Sequence, residues 1–211
     1  MRTHMPIDLW LVFIAVSLLP AVSPGPAVML AISNTLRFGR NATLASAAGN
    51  ATGLVILGYA VALGFGALMA TSAVAFTVLK IIGAAYLIFI GLKIWRDKSA
   101  FHVEEGVLIA RKSARKLFLE ALFVSITNPK AILVITALFP QFMRADGIDL
   151  MEISVLSFTY AALCFANHAA IAYAGGHMRR FLTSAKRMLW VRRVTGTLFV
   201  GFGAALAAAS R

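Results

Sequence analysis

Long apolar runs alternate with short polar connections along this chain, covering residues 8–33, 42–66, 73–94, 117–140, 151–175 and 193–209. Crossing a bilayer takes about 20 consecutive, mainly apolar residues. The pattern therefore predicts six transmembrane helices and an all-α integral membrane protein. These crossings consume most of the chain, so residues 1–211 read as a single transmembrane domain with no room for a soluble one. The first run is too long for the apolar core of a signal peptide, and further spans follow it. It reads as a retained helix, with either Met1 or Met5 as its start.

Two of the runs carry helix breakers. "LLPAVSPGPAVML", Leu18 to Leu30, places Pro20, Pro24 and Pro26 inside an uncharged stretch, and segment four carries "TNPKAILV" around Pro129. Proline removes a backbone donor and clashes with the preceding turn, costing about 3 kcal/mol in a helix interior. Backbone groups freed in this way survive in a bilayer only when buried in protein or lining a wet cavity. One such break reads as a simple kink. Two breaks in matching positions favour a site.

The positions match because the chain resembles itself. "KIIGAAYLIFIG" from Lys80 and "RVTGTLFVGFGA" from Arg193 both set a cation, then a glycine, then an aromatic at intervals of three: Lys80, Gly83 and Tyr86 against Arg193, Gly196 and Phe199. Segments two and five each place an asparagine in their interior, Asn50 and Asn167. Two half-repeats are expected, approximately 8–95 and 117–209. Three helices per half make the second inverted relative to the first, with the first and fourth helices broken. Inverted repeats whose discontinuous helices meet near the midplane are typical of secondary transporters.

Composition sharpens this picture. The chain is 60% hydrophobic and 13% charged, against about 25% charged in soluble domains. Its net charge of +12 would suggest nucleic acid in a soluble protein, but the distribution excludes that partner. Fifteen of the 20 Lys and Arg residues fall in alternate connections, in clusters such as Arg111, Lys112, Arg115 and Lys116. The positive-inside rule then puts both termini outside the cytoplasm, with anionic membrane lipid as the partner of the clusters. Glycines at small-residue spacing, Gly49 and Gly53 among them, allow close helix contact. Such pairs usually pack within one protomer and leave a homo-oligomer open.

Candidate chemistry lies in the midplane polar set: Ser23, Asn50, Asn128, Lys130, Asn167 and His168. Together with Pro24, Gly25, Pro26 and Pro129 at the breaks, these offer an amino-acid zwitterion what it needs. Helix amino ends accept its carboxylate, and carbonyl or amide oxygens accept its ammonium. Lys130 can hold a carboxylate or snorkel its charge to an interface. Asn167 and His168 are the candidates for proton coupling, since histidine titrates near neutrality; a neutral hydrogen-bonding face is the alternative. Every acid sits near a helix end or in a loop, which argues against a deep cation site. Cys164 reads as a small packing residue. The four histidines lack metal-ligand spacing, no nucleophile elbow surrounds a serine, and no phosphate loop appears. The expectation is neither an enzyme nor a metal- or cofactor-dependent protein.

Taken in order, "SPGPAVML", "KIIGAAYLIFIGLKIWR", "FVSITNPKAILVITALFPQF" and "TGTLFVGFGAALAAAS" make the chain similar to the lysine exporter and homoserine/threonine resistance (LysE/RhtB) family over nearly its whole length. The resemblance implies a multi-pass exporter of amino acids or close derivatives in the bacterial inner membrane, driven by the proton gradient. It points to the homoserine/threonine branch. Basic amino-acid exporters tend to carry an acid in the second helix, where Asn50 stands here. Homoserine/threonine relatives often carry an aspartate in the fifth helix, where Asn167 and His168 stand. A basic amino-acid exporter, a passive small-solute channel and a membrane enzyme are the rival readings.

Overall fold

A computed structural model describes residues 5–69, 112–143, 149–182 and 185–208, together with ten helical positions between 78 and 96. Seven helices are delimited among the described residues: α1 Ile7–Val22, α2 Pro26–Phe38, α3 Arg40–Met69, α4 Ala114–Thr127, α5 Pro129–Phe142, α6 Leu150–Leu182 and α7 Ala185–Ala208. No strand occurs among those residues.

The predicted first and fourth crossings are each split into two helices. α1 and α2 meet at 59°, and so do α4 and α5. Each second half-helix begins on a proline, Pro26 or Pro129. That position suits proline, because a first-turn N–H has no intrahelical acceptor in any case. Pro20 stays inside α1. Helices α3 and α6 each contain a span long and apolar enough to cross unaided, Arg40–Gly64 and Leu150–Gly175.

Boundaries differ from the apolar runs where polar helix ends continue past the hydrocarbon. The first crossing reaches Phe38 before Gly39 reverses the chain at φ 83°, a backbone angle that favours glycine. Helix α6 runs on to Leu182, but its geometry breaks at Gly175 (φ 44°, ψ −118°), the residue where the fifth apolar run ends. Helix α7 begins at Ala185, ahead of the predicted 193, because a basic turn precedes its apolar part.

Helix α3 is the central post. Apolar side chains gain nothing by leaving lipid for each other, so close packing at small residues must hold these helices together. Gly49 lies against the Phe118 carbonyl, and a Cβ at Gly53 would sit 2.8 Å from Ser125 Cβ and 2.9 Å from the Leu122 carbonyl. The α3–α4 contact thus advances in parallel along both helices. Further along α3, Gly58 meets Ser157 of α6, and Tyr59 hydrogen-bonds Ser154 at 2.5 Å. Phe13 of α1 is fully buried and packs edge-on against Phe139 and Phe142 of α5, with centroids 6.0 and 5.1 Å apart. Trp10 Nε1 donates to Thr159 of α6 at 3.0 Å.

A polar clamp fastens α2 to α3. Asn34 Nδ2 donates to Ser46 Oγ at 3.1 Å, and the hydroxyls of Thr35 and Thr43 share a 2.9 Å hydrogen bond. All four residues are buried, so each hydroxyl or amide would be costly without its partner.

The third predicted crossing falls mainly on residues that are not described, Lys80, Gly83 and Tyr86 among them, as does the Phe199 side chain. Its described positions meet α7 through glycines. A Cβ on Gly91 or on Gly196 would sit 2.7 Å from the other's carbonyl, and one on Gly203 would sit 2.7 Å from the Ala84 carbonyl. Trp95 Nε1 donates to the Arg193 carbonyl at 2.8 Å. Position 84 meets 203 and position 91 meets 196, so the two helices run antiparallel.

Candidate functional site

The site grows out of the first break. The last carbonyls of any helix lack intrahelical donors, and Pro24 and Pro26 supply none. The chain's own side chains serve instead. Ser23 Oγ donates to the Pro20 carbonyl at 3.0 Å, and Asn167 Nδ2 reaches from α6 to the Ala21 carbonyl at 3.1 Å. The Ser23 carbonyl accepts from Lys130 Nζ at 2.6 Å. Beyond the break, Gly25 is extended, and the first hydrogen bond of α2 runs from Met29 N–H to the Gly25 carbonyl at 2.9 Å. The N–H groups of Ala27 and Val28 precede that bond and stand at the positive pole of the helix dipole.

The second break has the same logic with a different cap. Asn128 closes α4 through its N–H, which donates to the Ser125 carbonyl at 3.3 Å. Its Oδ1 then caps α5 by accepting from Lys130 N–H at 3.0 Å. Asparagine is among the best residues for this position. Lys130 therefore stands in the first turn of a new helix, not deep within a continuous one as its place in the apolar run suggests.

Both breaks open on one cavity, and α3 and α6 complete its walls. Of the residues singled out from sequence, Gly25, Asn50, Asn128, Lys130 and His168 line it. Ser23 is buried beside it and contributes its carbonyl, through Lys130. Pro24 and Pro26 shape the break without lining the cavity, and Asn167, also outside the lining, donates to the carbonyl of the wall residue Ala21. The Pro129 side chain lies outside the described residues. Lys130 does not snorkel: it is buried, and a Cβ on Gly25 would meet its Cδ at 3.0 Å.

Other wall residues escape the sequence reading of the site, Pro20, Tyr160 and Cys164 among them. Tyr160, Cys164 and His168 follow one another at intervals of four, which puts them on one face of α6. That spacing is the signal that could have found them once His168 was suspected. His168 is 2% exposed, and its Nδ1 has no hydrogen-bond partner. An unsatisfied buried nitrogen in a cavity wall is an open position for a ligand group or a water.

The cavity thus offers carbonyl and amide oxygens beside the carboxyl end of α1, and a cation with helix amino ends beside them. Such a wall matches the two opposite charges of a small zwitterion. It includes no carboxylate among its described residues. Among the described residues no cluster of three His, Cys, Asp or Glu side chains could hold a metal ion.

Comparison with known proteins agrees in direction. The family model of the LysE type translocator matches residues 18–210. The homoserine/homoserine lactone efflux protein of Salmonella typhimurium is 33% identical over 205 residues, which cover 97% of this chain and 98% of that protein. An uncharacterized membrane protein of Vibrio cholerae is 32% identical over 208 residues, covering 97% and 99% of the two chains. A second one, YrhP of Bacillus subtilis, is 29% identical over 200 residues, covering 92% and 95%. No solved structure matches the chain.

Proposed function

Since the chain belongs to the LysE family of translocators, we propose that it exports small neutral or zwitterionic amino acids, or close derivatives such as homoserine and threonine, from the bacterial cytoplasm. The observation that carries this reading is the single cavity shared by the two breaks, with Lys130 of the second bonded to the Ser23 carbonyl of the first. The substrate's carboxylate faces Lys130 and the first N–H groups of α2. Its ammonium faces the carboxyl end of α1 and the amide of Asn50 or Asn128. A wall with a cation and no described carboxylate disfavours a second positive charge, and hence a basic amino acid.

Alternating access is the mechanism that broken helices serve. The two half-repeats, approximately 8–95 and 117–209, rock against each other around the cavity with the termini on the outer side. The proton gradient drives the cycle; of the two coupling candidates, Asn167 and His168, the second lines the cavity, which supports it as the group that exchanges the proton. The antiparallel meeting of positions 84 and 91 with 203 and 196 supports the repeat. Adding the sequence offset of 113 to Gly91 gives 204 and removing it from Gly196 gives 83, so one contact maps within one residue of the other.

An export assay in a strain sensitised to homoserine and threonine tests the reading. Expression of this chain is expected to restore growth at inhibitory homoserine or threonine and to raise the extracellular amino acid. Growth and efflux equal to the empty-vector control across a broad amino-acid panel would remove the proposal.

A further inference from the structure

The Lys130 side chain crosses from one break to the other. It leaves the first turn of α5, passes over Gly25, and places its ammonium 2.6 Å from the Ser23 carbonyl. That carbonyl closes the carboxyl end of α1, where aligned peptide dipoles leave partial negative charge. Two neighbouring carbonyls of the same turn, those of Pro20 and Ala21, are held by Ser23 Oγ and Asn167 Nδ2. Both holders are neutral side chains; the Ser23 carbonyl alone among these three is held by a cation.

We propose that Lys130 is a stand-in for the substrate's own ammonium, holding the Ser23 carbonyl until substrate arrives and yielding it only to a ligand whose carboxylate takes Lys130 in exchange. The inference rests on the amino-acid export reading and adds a selectivity rule to it. An ammonium arriving without a carboxylate must compete with Lys130 for one carbonyl and leaves two cations in a buried space. Desolvated charges tolerate this poorly, because a buried charge depends on its partner. A zwitterion brings both halves of the exchange. Its ammonium replaces the lysine's on the carbonyl, and its carboxylate forms a charge-assisted hydrogen bond with the displaced lysine. The absence of a side chain at Gly25 leaves the lysine stem its passage. The contact also joins the two broken helices, so a zwitterion releases a link between the halves that a bare amine does not.

The rule is tested with ligands that keep the ammonium and lose the free carboxylate; the carboxamide changes that group alone, and the lactone also spends the side-chain hydroxyl in its ring. Binding of homoserine, homoserine lactone and the homoserine carboxamide is measured by ligand-induced thermal stabilisation of the purified full-length protein. The wild type is expected to bind homoserine at least about tenfold more tightly than the other two, the scale of one charge-assisted hydrogen bond. In Lys130→Gln, homoserine should weaken about tenfold while the lactone binds as well as before or better, because its ammonium no longer competes for the Ser23 carbonyl. Equal wild-type affinities for homoserine and its carboxamide would overturn the inference, as would a variant that weakens all three ligands by the same factor. If the variant does not fold, the wild-type series alone decides. A wild type that exports homoserine but shows no preference for the free carboxylate sinks this rule and leaves the export reading standing. A wild type that binds none of the three also sinks this rule, and the export reading is then decided by the broad-panel efflux assay.

Discussion

Asn128 carries two local tasks. Its N–H closes α4 on the Ser125 carbonyl, and its Oδ1 opens α5 by capping Lys130 N–H. Asn128→Ala removes the cap, which costs about 1 kcal/mol of helix stability, and it unfastens the turn that aims Lys130 at Ser23. Transport of the cognate amino acid should be abolished while the chain still inserts, as measured by initial export rate against the amount of protein in the membrane. A wild-type rate at normal abundance would take Asn128 out of the site. The breaks were legible in sequence because proline chemistry is local: Ser23-Pro24-Gly25-Pro26 and Asn128-Pro129-Lys130 announce them without any tertiary knowledge. Lys130's partner was not legible, because it is a main-chain carbonyl 107 positions away and leaves no mark in side-chain identity. Tyr160 and Cys164 were missed for a related reason. Cys164 reads as ordinary packing, and nothing in the sequence singles out Tyr160, until the rotation of α6 turns their face to the cavity.

Among the elements, α3 owes its central place to glycine. The close approach to α4 uses the missing side chains of Gly49 and Gly53, whereas a Cβ at Gly64 would meet nothing within 4 Å. Gly53→Ala should therefore overpack the α3–α4 seam and destabilise the protein by about 1–3 kcal/mol. Gly64→Ala should be neutral or stabilise it by up to about 1 kcal/mol, through helix propensity. Thermal unfolding in detergent separates the two; equal midpoints for both variants would contradict this account of the seam. The lengths of the apolar runs located the elements well, since the bilayer sets a minimum that composition alone can reveal. Their ends were less legible. Phe38 and Arg40 extend the helices beyond the hydrocarbon, where cation–π contacts such as Arg40 over Tyr173, at 5.2 Å, replace apolar burial. The Gly175 break lies in a helix whose composition shows only two adjacent glycines.

At the scale of the whole molecule, the protein is a multi-pass, all-helical member of a translocator family with two equally bent crossings. The two bends are partly legible from sequence, because each is built on a proline. The common cavity is not, since it depends on how α3 and α6 pack around both breaks. The two surfaces it brings together, a carbonyl-bearing helix end and a cation beside helix amino ends, support the proposal that a small zwitterion is bound there and carried outward against its gradient. The most direct test reconstitutes the purified protein in proteoliposomes with an imposed proton gradient and follows labelled amino acids, homoserine and threonine among them. Saturable movement that concentrates homoserine or threonine only while the gradient lasts is expected. Movement of no amino acid on the panel, or an unsaturable flux that stops at equal concentrations, would contradict it.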